Sequence, residues 1–97
     1  MSLASERIEV PADPRAQYEL SLAEHWGDGV PQLPATDDAI EALVAASPYP
    51  ADHVVCVLPP VNGVATVELV AINAAMAGVE PRAFGFVLAA LEALSEP

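Results

Sequence analysis

The sequence predicts a small, mostly α-helical α+β fold with one or two short β-strands. Most apolar residues recur at spacings of three and four, which places them on one face of a helix. Residues 53–58, by contrast, are rich in β-branched residues and bounded by prolines, as is typical of a strand. A chain of 97 residues is long enough for one domain only. We expect an N-terminal arm over residues 1–12 and a single helical α+β domain over residues 13–97.

The first helix is predicted by its start signals. Asp13 can cap a helix, and a proline at position 14 suits the first helical position. Tyr18, Leu22 and Trp26 follow at a spacing of four, so we expect the helix to extend to Gly27.

The second helix begins after Thr36, whose hydroxyl can act as the cap, and acidic residues at 37 and 38 suit its first turn. Ile40, Leu43 and Val44 give it one narrow apolar face. The Ser-Pro-Tyr-Pro sequence at residues 47–50 ends it.

The strand and the third helix form the most apolar part of the chain. A short strand needs a partner, so residues 53–58 pair either with residues 7–10 or with a strand from elsewhere. The third helix, about residues 65–77, is apolar almost all round and precedes Gly78, a favoured C-terminal cap. We expect such a helix to be buried on most sides.

The fourth helix begins at Glu80-Pro81 and carries one apolar stripe, a pattern that predicts one buried face. The stripe consists of Phe84, Val87, Leu88, Leu91 and Leu94.

Composition excludes several classes of function. With fourteen acids against three arginines the net charge is -11, so no cluster of cations is present for nucleic acid or for an anionic membrane surface. The longest apolar stretch, residues 64–79, is interrupted by polar residues and is shorter than the roughly 20 residues that span a membrane. One cysteine, Cys56, and no signal-peptide pattern lead us to expect a cytoplasmic protein with a structural thiol.

Residues 27–36, Gly-Asp-Gly-Val-Pro-Gln-Leu-Pro-Ala-Thr, are the strongest candidate for a functional site. Glycines and prolines fix an irregular loop, which leads into the positively polarised start of the second helix. We take Asp28 as a candidate catalytic residue, with Gly29 and Thr36 as candidate substrate-binding residues. The alternative for Asp28 is that it only caps a turn.

Two polar residues on the apolar third helix complete the candidates. Glu68 is a candidate catalytic residue and Asn73 a candidate substrate-binding residue, but they point about 140° apart and cannot share one face of the helix. The alternative is that each reaches the helix edge or bonds to backbone. His25, His53 and the single cysteine form no metal-binding pattern, so we expect no metal, and no motif identifies a cofactor.

These motifs together resemble the N-terminal part of an uncharacterised bacterial family often grouped with the UGSC-motif (seleno)proteins. The resemblance covers about residues 20–97 and rests on Gly-Asp-Gly-Val-Pro at 27–31, Pro-x-Thr at 34–36, Pro-Pro at 59–60, residues 63–68, residues 73–78 and the closing helix. Gln32 and Ala35 depart from it, since the family tends toward an apolar residue and a second proline there. In longer relatives the polypeptide continues beyond the position of Pro97 into a Gly- and Asn-rich region.

The resemblance implies an enzyme subunit. Because 54% of the residues are hydrophobic, more than a small domain buries, we expect the fold to be incomplete without a partner chain. Our hypothesis is a small subunit of a hetero-oligomeric bacterial enzyme, which packs on a larger chain and contributes residues 27–36 to a site for a small-molecule substrate at the junction. The family association implies redox or carbon-sulfur chemistry. The alternatives are a non-catalytic stabilising or regulatory partner protein and a homo-oligomeric binding module.

Overall fold

The computed structural model describes residues 3–26, 33–58 and 63–95. Across these residues the element order is α1 (Pro14–Ala23), α2 (Asp37–Ala46), β1 (Val54–Leu58), β2 (Gly63–Thr66), α3 (Val67–Met76) and α4 (Pro81–Leu94). The fold is a small, mostly helical α+β fold, which confirms the predicted class. No helix in the described part of the chain is long and apolar enough to cross a membrane.

The two strands form an antiparallel hairpin. Cys56 pairs with Ala65 and Val57 with Val64, with an irregularity in register between Val54 and Cys56. The predicted strand is therefore confirmed, and of the two alternatives for its partner, pairing with residues 7–10 is wrong. Residues 63–66, expected partly as helix, instead extend and pair with β1, and the third helix begins later than predicted, at Val67.

The core lies where α2, α3 and α4 pack together and against β1. The predicted face of α2 is buried, and α3 is buried on most of its circumference, as expected. In α4, Phe84 and Leu88 are buried, whereas Leu94 is 78% exposed and corrects the predicted stripe. Leu94 is the last residue of the helix.

Helix α1 begins as predicted and ends early. The Asp13 side chain accepts a hydrogen bond from the Ala16 amide at 3.0 Å and caps the helix. The helix ends at Ala23 instead of extending to residue 27, because His25 adopts the left-handed conformation with φ of 56°. Trp26 therefore lies beyond the end of the helix, and its amide donates to the Ser21 carbonyl at 3.0 Å.

Candidate functional site

A cavity of about 610 Å³ lies between the N-terminal arm and helices α1, α2 and α3. The arm forms one wall with side chains between Leu3 and Val10. None of residues 3–12 belongs to a strand. The opposite wall comes from the segment 33–36, the first turn of α2 and one face of α3. On α3 the lining residues are Glu68, Ile72 and Met76, which lie at a spacing of four and so on one helix face.

Glu68 is the most unusual side chain of this cavity, because it is a carboxylate that is only 6% exposed. One oxygen accepts a hydrogen bond from the Ala4 amide at 2.9 Å, and the other accepts from the Ser5 amide at 2.7 Å. The Ser5 hydroxyl also donates to it. These donors lower the pKa of Glu68, the Ser5 hydroxyl most of all, although burial acts in the opposite direction. Glu68 is therefore a charged anchor for the arm.

Two further contacts hold the arm across the cavity. Arg7 Nε donates to both carboxylate oxygens of Asp37, at 3.0 and 3.1 Å. Both side chains are more than half exposed, so this ion pair contributes at most about 1 kcal/mol. At the other end of the arm, Gln17 on α1 donates its amide to the Pro11 carbonyl at 2.7 Å. The arm is thus fastened to α3, α2 and α1 by polar contacts.

Thr36 lies in the cavity wall at the start of α2. Its hydroxyl accepts a hydrogen bond from the Ala39 amide at 3.2 Å, which is the predicted capping role. The segment before it is fixed to α3, because the Leu33 amide donates to the Met76 carbonyl at 3.0 Å. The structure therefore brings Thr36 and Glu68, both predicted site residues, to the same cavity.

Asn73 lies apart from these two. It is exposed, its side-chain amide donates to the Leu69 carbonyl at 2.9 Å within its own helix, and it is not among the cavity-lining residues. This separation agrees with the angle that the sequence predicts. Asp28 and Gly29, the other two predicted site residues, lie outside the described residues.

The cavity mouth is apolar. We use this name for Ile8, Val10, Trp26 and Leu33, which line the cavity and are between 39 and 59% exposed. Two of them come from the arm, and the others flank the segment 27–32. Large apolar side chains gathered in one exposed patch commonly mark an interaction site.

The remaining reactive groups lie elsewhere. Cys56 is a free, buried thiol on β1, as predicted for a structural cysteine. His53 stacks on Tyr49 with ring centroids 4.0 Å apart, and the nearby Glu92 carboxylate raises the pKa of the Tyr49 hydroxyl through a hydrogen bond and through its charge. Among the described residues, no three His, Cys, Asp or Glu side chains lie close enough together to hold a metal ion.

Comparisons of this chain with protein-family models, curated proteins and solved structures found no match.

Sequence reasoning did not identify the arm as part of this cavity. Ser5 and Arg7 are in contact with residues that lie 63 and 30 positions further along the chain. The sequence signal that could have found the arm is Glu68, the acid on the apolar third helix. A buried carboxylate requires hydrogen-bond donors, and the apolar side chains of that helix offer none.

Proposed function

We propose that this chain is the small subunit of a hetero-oligomeric enzyme, and that a larger chain covers the cavity mouth. The observation that supports the proposal is the exposed apolar patch of the mouth around a cavity that contains Thr36 and Glu68. Covering such a patch removes apolar surface from water and is favourable by about 25 cal/mol per Å². The covered cavity would then be the enclosed site at the junction, with residues 33–36 in its wall.

The charge of the chain indicates the chemistry of that partner. A net charge of -11 favours a polypeptide whose apolar contact surface is bordered by lysine and arginine, since opposite charges steer association. The same charge disfavours nucleic acid and anionic membranes as partners. We place the reaction in the redox or carbon-sulfur class, on the family resemblance alone.

Within the proposed site, Thr36 and Glu68 have different roles. The Thr36 hydroxyl accepts from the Ala39 amide and keeps its own proton to donate to a substrate oxygen or nitrogen. The Glu68 carboxylate is occupied by the arm, so it acts as a positioning residue while those contacts persist. Asp28 remains our candidate for direct contact with the substrate.

Co-expression with the products of neighbouring genes tests the proposal. We expect a tagged chain to co-purify with one larger polypeptide at a fixed ratio. The double variant Ile8→Ser, Leu33→Ser removes two mouth residues that are 56 and 59% exposed, and it should weaken that complex at least about tenfold, or roughly 1.4 kcal/mol.

A matched control comes from α4. Phe86 is 79% exposed and does not line the cavity, so Phe86→Ser makes a similar apolar-to-polar change elsewhere on the surface. It should leave the complex intact. Loss of the complex in Phe86→Ser, with normal assembly of the double variant, would show that the partner covers a different surface.

A further inference from the structure

We propose that the cavity binds an uncharged, mainly apolar small molecule, and that the N-terminal arm is the wall that opens to admit it. This inference rests on the proposed function for the identity of the site. It adds the class of ligand and its route of entry.

The size and lining of the cavity indicate an apolar ligand. Its volume of about 610 Å³ lies within the range of roughly 300–1,000 Å³ typical of small-molecule sites. Ile40, Ile72 and Met76 line the cavity from α2 and α3, and each is more buried than the residues of the apolar mouth. A ligand enclosed between these surfaces contacts mostly hydrocarbon.

The charges in the wall disfavour an ionic ligand. Three acidic side chains, Glu6, Asp37 and Glu68, line the cavity against a single described cation, Arg7, which is already paired with Asp37. An anion would lie near these carboxylates without an unpaired cation to balance it. A cation would find Glu68 occupied by three donors and Asp37 by the arginine. The third acid, Glu6, is exposed, and an ion pair with an exposed carboxylate contributes at most about 1 kcal/mol. An uncharged molecule avoids both penalties.

The arm is the part of the wall that can open with least disturbance to the core, because Leu3 is the one residue of the described arm that packs against the core. Residues 3–12 form no helix or strand, and the two large apolar residues beyond Arg7, Ile8 and Val10, remain 56 and 41% exposed. Polar contacts from Glu68, Asp37 and Gln17 hold the arm in place. The hydrogen bonds to Glu68 are the strongest of these contacts, and losing them on opening costs about 2–3 kcal/mol.

Titration of the full chain with N-phenyl-1-naphthylamine, an uncharged fluorophore, tests the inference. We expect saturable binding of one probe per chain. Ile72→Trp and Met76→Trp place a larger side chain inside the cavity, and each should weaken probe binding at least about tenfold. Circular dichroism and thermal melting test whether each variant is folded. If one tryptophan variant does not fold, the other alone provides the test.

Two comparisons show where the probe binds and which class of ligand the cavity accepts. Phe86→Ser should bind the probe as the unmodified chain does, because Phe86 lies outside the cavity wall. The anionic fluorophore 1-anilinonaphthalene-8-sulfonate should bind at least about tenfold more weakly than the uncharged probe, because of the acidic wall. In Glu68→Gln, where the arm is loosened, the probe should dissociate faster than from the unmodified chain.

Absence of saturable binding, binding that both tryptophan variants leave unchanged, or binding lost in Phe86→Ser would each overturn the inference. The result is separable from the test of the proposed function. Partner assembly without probe binding contradicts the ligand class alone, whereas probe binding by a chain that recruits no partner contradicts the subunit role alone.

Discussion

Replacing Glu68 by glutamine should detach the arm from α3. The carboxylate accepts hydrogen bonds from the Ala4 amide, the Ser5 amide and the Ser5 hydroxyl. Glutamine keeps the size of the side chain but offers one acceptor oxygen, and its NH₂ group faces a backbone donor. Hydrogen bonds to a charged group contribute about 1.5–3 kcal/mol each, and the released arm donors regain water. We therefore expect a net loss of about 2–3 kcal/mol.

Urea unfolding measures this loss, and hydrogen exchange of the Ala4 and Ser5 amides locates it. Protection of these two amides should disappear in Glu68→Gln, while protection of the core helices persists. Glu24→Gln is the matched control, because it removes one charge from an exposed side chain and should change stability by no more than about 0.5 kcal/mol. A loss for Glu68→Gln as small as that of the control, with both arm amides still protected, would refute this reasoning.

The same variant has a characteristic pH dependence. The hydrogen bonds hold the pKa of Glu68 below its ordinary value of 4.5, so the folded state binds the proton more weakly than the unfolded state. The stability that Glu68 contributes is complete above pH 4.5 and is lost as the pH falls through the lowered pKa. The difference in unfolding free energy between the unmodified chain and Glu68→Gln should therefore be constant at neutral pH and shrink in acid.

Three further substitutions test the cap of α2, the buried thiol and the proposed role of Asp28. Thr36→Ala removes the cap of α2 and should lower the free energy of unfolding by about 1 kcal/mol in a urea titration; no change would mean that the hydroxyl does not cap the helix in solution. Cys56 is 5% exposed, so alkylation of the folded protein should be slow and Cys56→Ser should mainly lower stability; rapid labelling at neutral pH would contradict this. Asp28→Asn should lower the activity of the assembled complex at least about tenfold, or roughly 1.4 kcal/mol, with little change in assembly or melting temperature. If activity falls only in proportion to assembly, the loop is scaffolding.

Local features of the sequence predict most of the helices. The caps at Asp13 and Thr36 are formed by contacts three residues away, so the residues that make them are adjacent in the sequence. The apolar face of α2 follows from helical periodicity alone. The strand β1 is likewise marked by its composition.

Features that depend on distant contacts are not predictable in the same way. Residues 63–65 carry no polar side chain and lead towards the helix, so periodicity alone does not separate strand from helix. Pairing with β1 extends them, and the Thr66 hydroxyl then caps α3 by accepting from the Leu69 amide. The end of α1 is instead a local feature without a clear sequence signal, because the left-handed backbone of His25 interrupts a stripe that would otherwise extend to Trp26. The cavity itself depends on an arm whose contacts to Glu68, from Ala4 and Ser5, span 64 and 63 positions of the chain.

The single tryptophan of the chain reports directly on the claim that a partner covers the cavity mouth. Trp26 lines the cavity and is 39% exposed, so a chain labelled with 5-fluorotryptophan gives one ¹⁹F resonance from the mouth. On addition of the unlabelled partner we expect this resonance to move and its shift between H₂O and D₂O to fall sharply, because the side chain loses its contact with solvent. A stable complex in which the ¹⁹F resonance and its solvent isotope shift stay those of the free chain would contradict the claim.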